Sequence, residues 1–369
     1  MTAPDTGALA RHLVDLIQVQ GPIPVSVYMA EALGHPKYGY YMTREPFGRE
    51  GDFITAPEVS QMFGELVGVW CVDIWQRMGS PARFHLIELG PGRGTLMVDL
   101  VRTLGAMPGA VDAAEIHFVE TSPRLKDQQR ATLERGGVGN AHWHERLADV
   151  PEGPAIVIAN EFFDALPIRQ YVHTREGWCE RLVDLNPEDS SFQFVVAARP
   201  TLGADILAPN ILGAPEGSVA ETCPAGQALI ADIADRINEN DGAALIIDYG
   251  TAQSAAGDSL QAVRGHQYIP VLGAPGAADI TAHVDFAALA RSAGAEGVAT
   301  HGPVEQGAFL KSLGIELRAT ALQQQATSDQ ASDLSTALDR LTTPNQMGQL
   351  FKVLALTRND QLPPAGFDA

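Results

Sequence analysis

The stretch His85-Leu86-Ile87-Glu88-Leu89-Gly90-Pro91-Gly92-Arg93-Gly94-Thr95 constrains this chain more than any other. A short apolar run carries a carboxylate near its end. It breaks into three glycines at alternate positions and leads into a helical pattern. Such a segment is a strand, a tight turn and a helix start. Glycine has no Cβ and tolerates positive φ, so backbone at such a turn can come within contact distance of a ligand. A dinucleotide fingerprint reads G-x-G-x-x-G and seats a pyrophosphate on a helix N-terminus. Here the spacing is G-x-G-x-G, preceded by Glu88, so that fingerprint is not met. A turn with no ligand is the plain alternative.

With 369 residues, 45% of them hydrophobic, the chain is long enough for two domains or for one with large insertions. The formal charge of −20 argues against nucleic acid as partner, since phosphate binding needs clustered Lys and Arg. An acidic surface favours cationic ligands or basic protein segments by steering, or serves solubility alone. Cys71, Cys179 and Cys223 are odd in number and far apart, with no C-x-x-C pair. A disulfide framework or zinc site is not expected, and a reducing cytoplasm is. His142 and His144 flank Trp143 without a further ligand set, so no metal is expected. The residues Met1–Asp5 read neither as a signal peptide nor as an Arg-rich presequence, which suggests a bacterial cytoplasmic protein. No apolar run reaches membrane-spanning length, so no membrane insertion is expected.

Residues 7–20 and 25–33 read as helices, and Gly34–Tyr41 as an aromatic loop. Phe47–Ile54 is glycine-punctuated and irregular. Thr55-Ala56-Pro57-Glu58 reads as a capping box, with Glu58 reaching back to the Thr55 amide, and opens a helix that runs to Gly79. From residue 83 the pattern alternates between strand and helix: strands at 84–89, 115–120, 141–143, 155–159 and 243–247, helices at 95–104, 123–135 and 228–240. The run 155–159 is continuously apolar, as a central parallel strand should be. Residues 168–223 read as a strand-rich insertion and 251–282 as a long loop. A helix at 286–293, a strand at 298–301, polar helices within 306–342 and a closing strand at 351–357 follow. The chain is therefore expected to be α/β, a Rossmann-like doubly wound sheet. It divides into an N-terminal helical region (1–80), a core (81–358) with insertions at about 168–223 and 251–282, and a tail (359–369).

Ligands of such sheets bind beyond the carboxyl ends of the strands. The residues to read are therefore Glu88, Gly90, Pro91, Gly92, Gly94, Glu120, Trp143, His144, Asn160, Glu161 and Asp248. Glu120 ends the strand after the glycine turn, where a carboxylate can accept both ribose hydroxyl protons; a solvated strand-end acid is the alternative. Trp143 and His144 either flank an adenine or belong to the core. Asn160-Glu161 follows the buried central strand, and Asp164 lies three residues on. If that segment turns helically, two carboxylates face one way and can clasp a guanidinium. Arginine stays protonated in water, so its methylation requires a carboxylate to orient it and take its proton. Otherwise Asp164 caps a turn and only Glu161 faces the cleft. Gly257-Asp258-Ser259-Leu260 spells a serine-esterase signature, but it sits late in the chain with no downstream Asp-x-x-His, so hydrolysis is not expected.

The blocks His35-Pro36 with Gly39-Tyr40-Tyr41, Gly51-Asp52-Phe53-Ile54-Thr55-Ala56-Pro57-Glu58, Phe63-Gly64-Glu65 and Glu88-Leu89-Gly90-Pro91-Gly92-Arg93-Gly94-Thr95-Leu96 form the first half of an ordered set. Val119-Glu120-Thr121-Ser122-Pro123, Asn160-Glu161-Phe162-Phe163-Asp164-Ala165-Leu166-Pro167, Asp248-Tyr249-Gly250 and Asp279-Ile280-Thr281-Ala282-His283 continue it. Gln306-Gly307 and Met347-Gly348 with Phe351-Lys352 complete it. Together, over roughly residues 28–357, they resemble the MidA-like class I methyltransferases, which include a mitochondrial complex I assembly factor that methylates an arginine. Ser259 stands where that pattern commonly has Thr. The resemblance implies S-adenosylmethionine (SAM) as methyl donor and Glu88, the glycine loop, Glu120, Trp143 and His144 as its contacts. It implies Asn160, Glu161 and Asp164 at the acceptor, and a protein substrate, a core subunit of NADH dehydrogenase in the mitochondrial relatives.

Overall fold

The computed structural model describes residues 6–44, 55–201 and 207–367. The expected irregular stretch 47–54, with the Gly51–Ile54 part of the resemblance, lies outside them. Two compact units divide the chain. One gathers the described residues of Met1–Phe53, Asp164–Ala228 and Gln253–Ala288, the other those of Ile54–Phe163, Leu229–Ala252 and Leu289–Ala369. Residues 55–80, read from the sequence with the N-terminal helices, thus pack with the sheet instead.

Seven strands of the larger unit are β1 (Phe84–Leu89), β2 (Ala114–Val119), β3 (Ala141–His144), β4 (Ala155–Asn160), β5 (Gly242–Thr251), β6 (Ala299–Glu305) and β7 (Phe351–Thr357). Their order across the sheet is β3-β2-β1-β4-β5-β7-β6. The first five are parallel; β7 runs antiparallel to both β5 and β6. The strands β1, β4 and β5 are buried along nearly their whole length, which is why they read as continuous apolar runs. One sheet face, with Phe84, Leu86, Ile156, Ile158, Leu245 and Ile247, packs in a common core with Trp70, Met97 and Leu100.

Those last three residues come from two crossing helices. The sequence expectation of one long helix from Thr55 is corrected here. A short helix α1 (Ala56–Val59) stops at Ser60, whose extended backbone (φ −164°) and hydroxyl, accepting from Met62 N at 3.2 Å, start a separate helix α2 (Gln61–Arg77). Thr55 makes no side-chain cap bond. Serine at the second start satisfies an otherwise orphaned amide, and Glu58 has better partners elsewhere. Helix α3 (Thr95–Leu104) crosses α2 closely: a Cβ on Gly64 would lie 2.6 Å from the Cβ of Asp99, so only glycine fits. Glu65 reaches over this crossing to Arg102 and takes a two-pronged contact from Arg318, both at 2.8 Å.

In the smaller unit, helices Thr6–Gln20 and Val25–Gly34 bury Leu9, Leu13, Ile17, Tyr28 and Met29 in a core shared with Val183 and Ile280. The strands Ile23–Pro24, Gly177–Leu185, Arg169–Thr174 and Val219–Thr222 form an antiparallel sheet, with Phe192–Val196 beside the second. The stretch 251–282, expected as a loop, instead contains a three-stranded sheet of Gln267–Ile269, Gln261–Arg264 and Asp279–Thr281. Its hairpin turns through Gly265 and His266, both at positive φ (56° and 60°), the geometry that joins antiparallel strands tightly. Histidine in the second place conceals that turn from sequence reading. The esterase-like Ser259 donates its hydroxyl to Glu221 Oε2, and Asp258 accepts from Arg181 at 2.7 Å, so this motif fastens the unit together. Among the described residues, no helix is long and apolar enough to cross a membrane.

Candidate active site

Parallel pairing sets the site by register. Leu89 stands beside Val119 and Ala159, Val119 beside His144, and Asn160 beside Ile247. Residues just past these positions therefore line one edge of the sheet. They are Gly90, Glu120, Glu161 and Asp248, all read from the sequence.

The glycine loop is a true left-handed turn: Gly90, Gly92 and Gly94 have φ of 58°, 52° and 80°. A Cβ on Gly90 would meet the Phe162 ring at 2.5 Å. Gly94 N–H donates to Pro91 O at 2.7 Å, and Gly94 opens α3. Glu58, released from its expected cap, braces this loop. Its Oε1 accepts from Thr95 Oγ1 at 2.7 Å and its Oε2 pairs with Arg93 at 3.4 Å. Two residues earlier, Ala56 N–H donates to Glu161 Oε1 at 2.8 Å. The short helix α1 thus touches the loop with one residue and the end of β4 with another.

Two buried acceptors lack partners. Glu88 Oε2 and Asn160 Oδ1 receive no hydrogen bond. Both side chains stand on the same sheet face, because Leu86 pairs with Ile156 and side chains alternate along each strand. Burial pushes the Glu88 carboxyl well above the usual carboxylate range. Orphaned acceptors of this kind are costly, and a positively charged donor group would satisfy both.

Glu120 is also buried, and burial raises its pKa against the lowering effect of the Ser122 amide. Its Oε1 accepts from Ser122 N at 2.8 Å and its Oε2 from Gln129 Nε2 at 3.1 Å. A carboxylate has about four lone-pair positions, so capacity for a ribose hydroxyl remains. Gln129 was not foreseen. Fully buried on helix α4 (Pro123–Arg135), it also donates to Gly92 O at 2.9 Å and accepts from Trp143 Nε1 at 2.8 Å. Its signal was available: it interrupts the apolar stripe of Leu125 and Leu133 at helical spacing.

Trp143 and His144 are consecutive in a strand and point to opposite faces. Trp143 packs edge-on against Phe118 at 5.7 Å, with the Arg130 guanidinium 4.7 Å over its ring. His144 instead bonds His117 at 3.0 Å. The two do not flank one ligand from the same face.

At the end of β4, Glu161 adopts φ 49°, a left-handed conformation unusual for a residue with a Cβ. Asn160 Nδ2 donates to its Oε1 at 3.2 Å. Asp248, fully buried, holds the turn that follows, its Oδ2 accepting from Phe162 N (3.1 Å) and Phe163 N (2.9 Å). The 3-10 turn Phe163–Ala165 begins only after Glu161, so of the two alternatives the helical alignment of Glu161 with Asp164 does not form. Asp164 falls in the other unit, where it is buried; its carbonyl accepts from Ala282 N, and its charge helps to raise the Tyr41 pKa, chiefly raised by burial.

A five-stranded parallel run with a glycine loop after β1, a carboxylate after β2 and an antiparallel β7 inserted between β5 and β6 defines a class I SAM-dependent methyltransferase core. A family model for S-adenosyl-L-methionine-dependent methyltransferases matches residues 66–304, and the chain belongs to that family. It is 38% identical to the mitochondrial protein arginine methyltransferase NDUFAF7 of Danio rerio, over 96% of this chain and 88% of that one. It is 36% identical to the protein of that name from Homo sapiens, over 96% and 84%. It is also similar to a COG1565 superfamily member from Burkholderia thailandensis crystallised with S-adenosyl-homocysteine, at a TM-score of 0.84 and 29% identity, covering 100% of this chain and 97% of that one. The protein is a SAM-dependent methyltransferase.

Proposed function

We propose that the acceptor is a protein arginine and that Glu161 is the carboxylate that orients its guanidinium. The observation that carries this reading is the fixed Glu161 side chain at the end of β4, braced by Ala56 N–H and by Asn160. The names of the relatives support the same acceptor. When bound, SAM supplies an electrophilic methyl group on a sulfonium. The residues that would hold it are Glu88 and Asn160 at its ammonium, the Gly90–Gly94 backbone, Glu120 at the ribose and Trp143 at the base. Glu161 directs one guanidinium nitrogen and takes up the proton released as that nitrogen is alkylated. Asp164→Asn, three residues on in the sequence, is to be tested separately. A reducing cytoplasm suits the three free cysteines.

A core subunit of NADH dehydrogenase is the acceptor to test first, by the MidA-like resemblance. Incubation of the protein with labelled SAM and such subunits, followed by peptide mass analysis, is expected to place methyl groups on arginine and to lose them in Glu161→Gln. Label on any other residue type would overturn the arginine assignment.

A further inference from the structure

Helix α4 buries one stripe of residues, Leu125, Gln129 and Leu133, each four positions from the next. A filler of that stripe would be apolar like the two leucines. An amide there gives up its hydration and is tolerated only when its polar atoms are met. All three of its contacts go to the carboxyl edge of the sheet. Trp143 Nε1 donates to Gln129 Oε1 at 2.8 Å, while Gln129 Nε2 donates to Gly92 O at 2.9 Å and to Glu120 Oε2 at 3.1 Å. The helix backbone also packs under the loop: a Cβ on Gly94 would lie 3.5 Å from Gln129 Cα.

These partners fix which way the amide points. The indole N–H can only donate, so Oε1 must face Trp143 and Nε2 must face the other two. Both Nε2 hydrogens are then used, one on each acceptor. Methionine, of nearly the same shape, has no donor to offer, and glutamate has one only when protonated. Glu120 takes the Ser122 amide at Oε1 and the Gln129 amide at Oε2, so a hydrogen bond at each oxygen fixes the plane of the carboxylate. The same bonds favour its ionised form against the burial that raises its pKa.

We propose that Gln129 is a positioning residue of the SAM site, whose one buried amide holds Glu120 in the orientation that takes a ribose hydroxyl and ties the Gly92 carbonyl and the Trp143 ring to it. The inference rests on the reading that Glu120 meets the ribose. Other charged groups surround the pair. Lys126 acts on Glu120 from α4, and Arg130, also on α4, lies over Trp143. Arg93 on the glycine loop is held by Glu58. His117, His142 and His144 of β2 and β3 gather with one another on the face away from Trp143.

The test is calorimetric titration of the full-length protein with S-adenosylhomocysteine and with its 2′-deoxy and 3′-deoxy analogues. In the wild type, removing the hydroxyl that Glu120 accepts is expected to weaken binding about tenfold or more, as for a hydrogen bond to a charged group. Gln129→Met is expected to shrink that deoxy penalty to about threefold or less, because the carboxylate is no longer held. Gln129→Glu keeps the acceptor for Trp143 and lacks a donor at high pH. Its affinity for S-adenosylhomocysteine, taken as a ratio to wild type at each pH so that the surrounding charges cancel, is expected to recover several-fold from pH 8 to pH 6. There the substituted carboxyl, its pKa raised by burial and by Glu120, gains a proton to donate. The ligand-free thermal midpoint reports any loss of stability separately. A Gln129→Met variant that loses stability and keeps the full deoxy penalty overturns the proposal, and so does a flat ratio for Gln129→Glu. An absent penalty in the wild type would instead remove Glu120 from the ribose, and this inference with it. Where Gln129→Met binds too weakly to rank the analogues, the recovery of Gln129→Glu decides.

Discussion

At the residue scale, the most informative group is Glu88. Its pKa is raised by burial, so the folded protein binds more protons than the unfolded chain over that range. The stability it contributes is complete below the unfolded glutamate pKa of about 4.3 and is lost as pH rises through the folded value. At neutral pH its ionised form is a burden that a cationic ligand relieves. Glu88→Gln is therefore expected to raise the thermal midpoint of the ligand-free protein while weakening SAM binding by about 1.5–3 kcal/mol, the value of a charge-assisted hydrogen bond. Paired thermal scans and calorimetric titrations check both halves; a variant that loses stability and keeps SAM affinity would remove Glu88 from the site. Gly90 gives a second prediction. Alanine there meets Phe162 at 2.5 Å on top of an unfavourable φ, whereas at Gly94 the nearest atom is 3.5 Å away. Gly94→Ala should cost about 1–2 kcal/mol in urea unfolding, from left-handed strain alone, and Gly90→Ala distinctly more.

At the scale of elements, the strands and helices of the core were legible because each repeats its own period: continuous apolar runs for β1, β4 and β5, a 3.6-residue stripe for α3 and α4. The start of α2 was not. Thr55-Ala56-Pro57-Glu58 satisfies every local rule for a capping box, yet Glu58 bonds Thr95 and Arg93, about 37 residues on. Local pattern cannot rank a near amide against a distant hydroxyl and guanidinium. The consequence is functional, since α1 links the glycine loop to Glu161 through Glu58 and the Ala56 amide. Glu58→Gln keeps an acceptor for Thr95 and loses the charge facing Arg93. It is expected to weaken SAM binding about three- to tenfold and to be non-additive with Thr95→Val in a double-mutant cycle on SAM affinity. Additive effects would make α1 a separate support rather than a link. The turn at Gly265-His266 was missed for a related reason: His266 adopts a positive φ that its residue type does not advertise.

At the scale of the whole molecule, the charge of −20 is a property of composition. It predicts that a basic acceptor peptide is drawn in by long-range attraction. Its KM should rise several-fold between about 0.05 M and 0.5 M salt, as the Debye length falls from roughly 14 Å to 4 Å, while kcat changes little. An acceptor peptide of the same length with its flanking Lys and Arg replaced provides the control; equal salt dependence for both would remove steering from the account.

The sequence by itself determined the order of strands and helices in the core, the glycine loop, and the carboxylates at the strand ends, because each follows from residue type and short-range period. Tertiary structure alone decided that residues 55–80 pack with the sheet, that Gln129 joins the loop to Glu120 and Trp143, and that Trp143 and His144 part to opposite faces. It alone brought His85, His117 and His144 into one chain from three strands. These are pairings between residues up to tens of positions apart. They depend on the register of parallel strands, which is fixed only when all the strands are buried together.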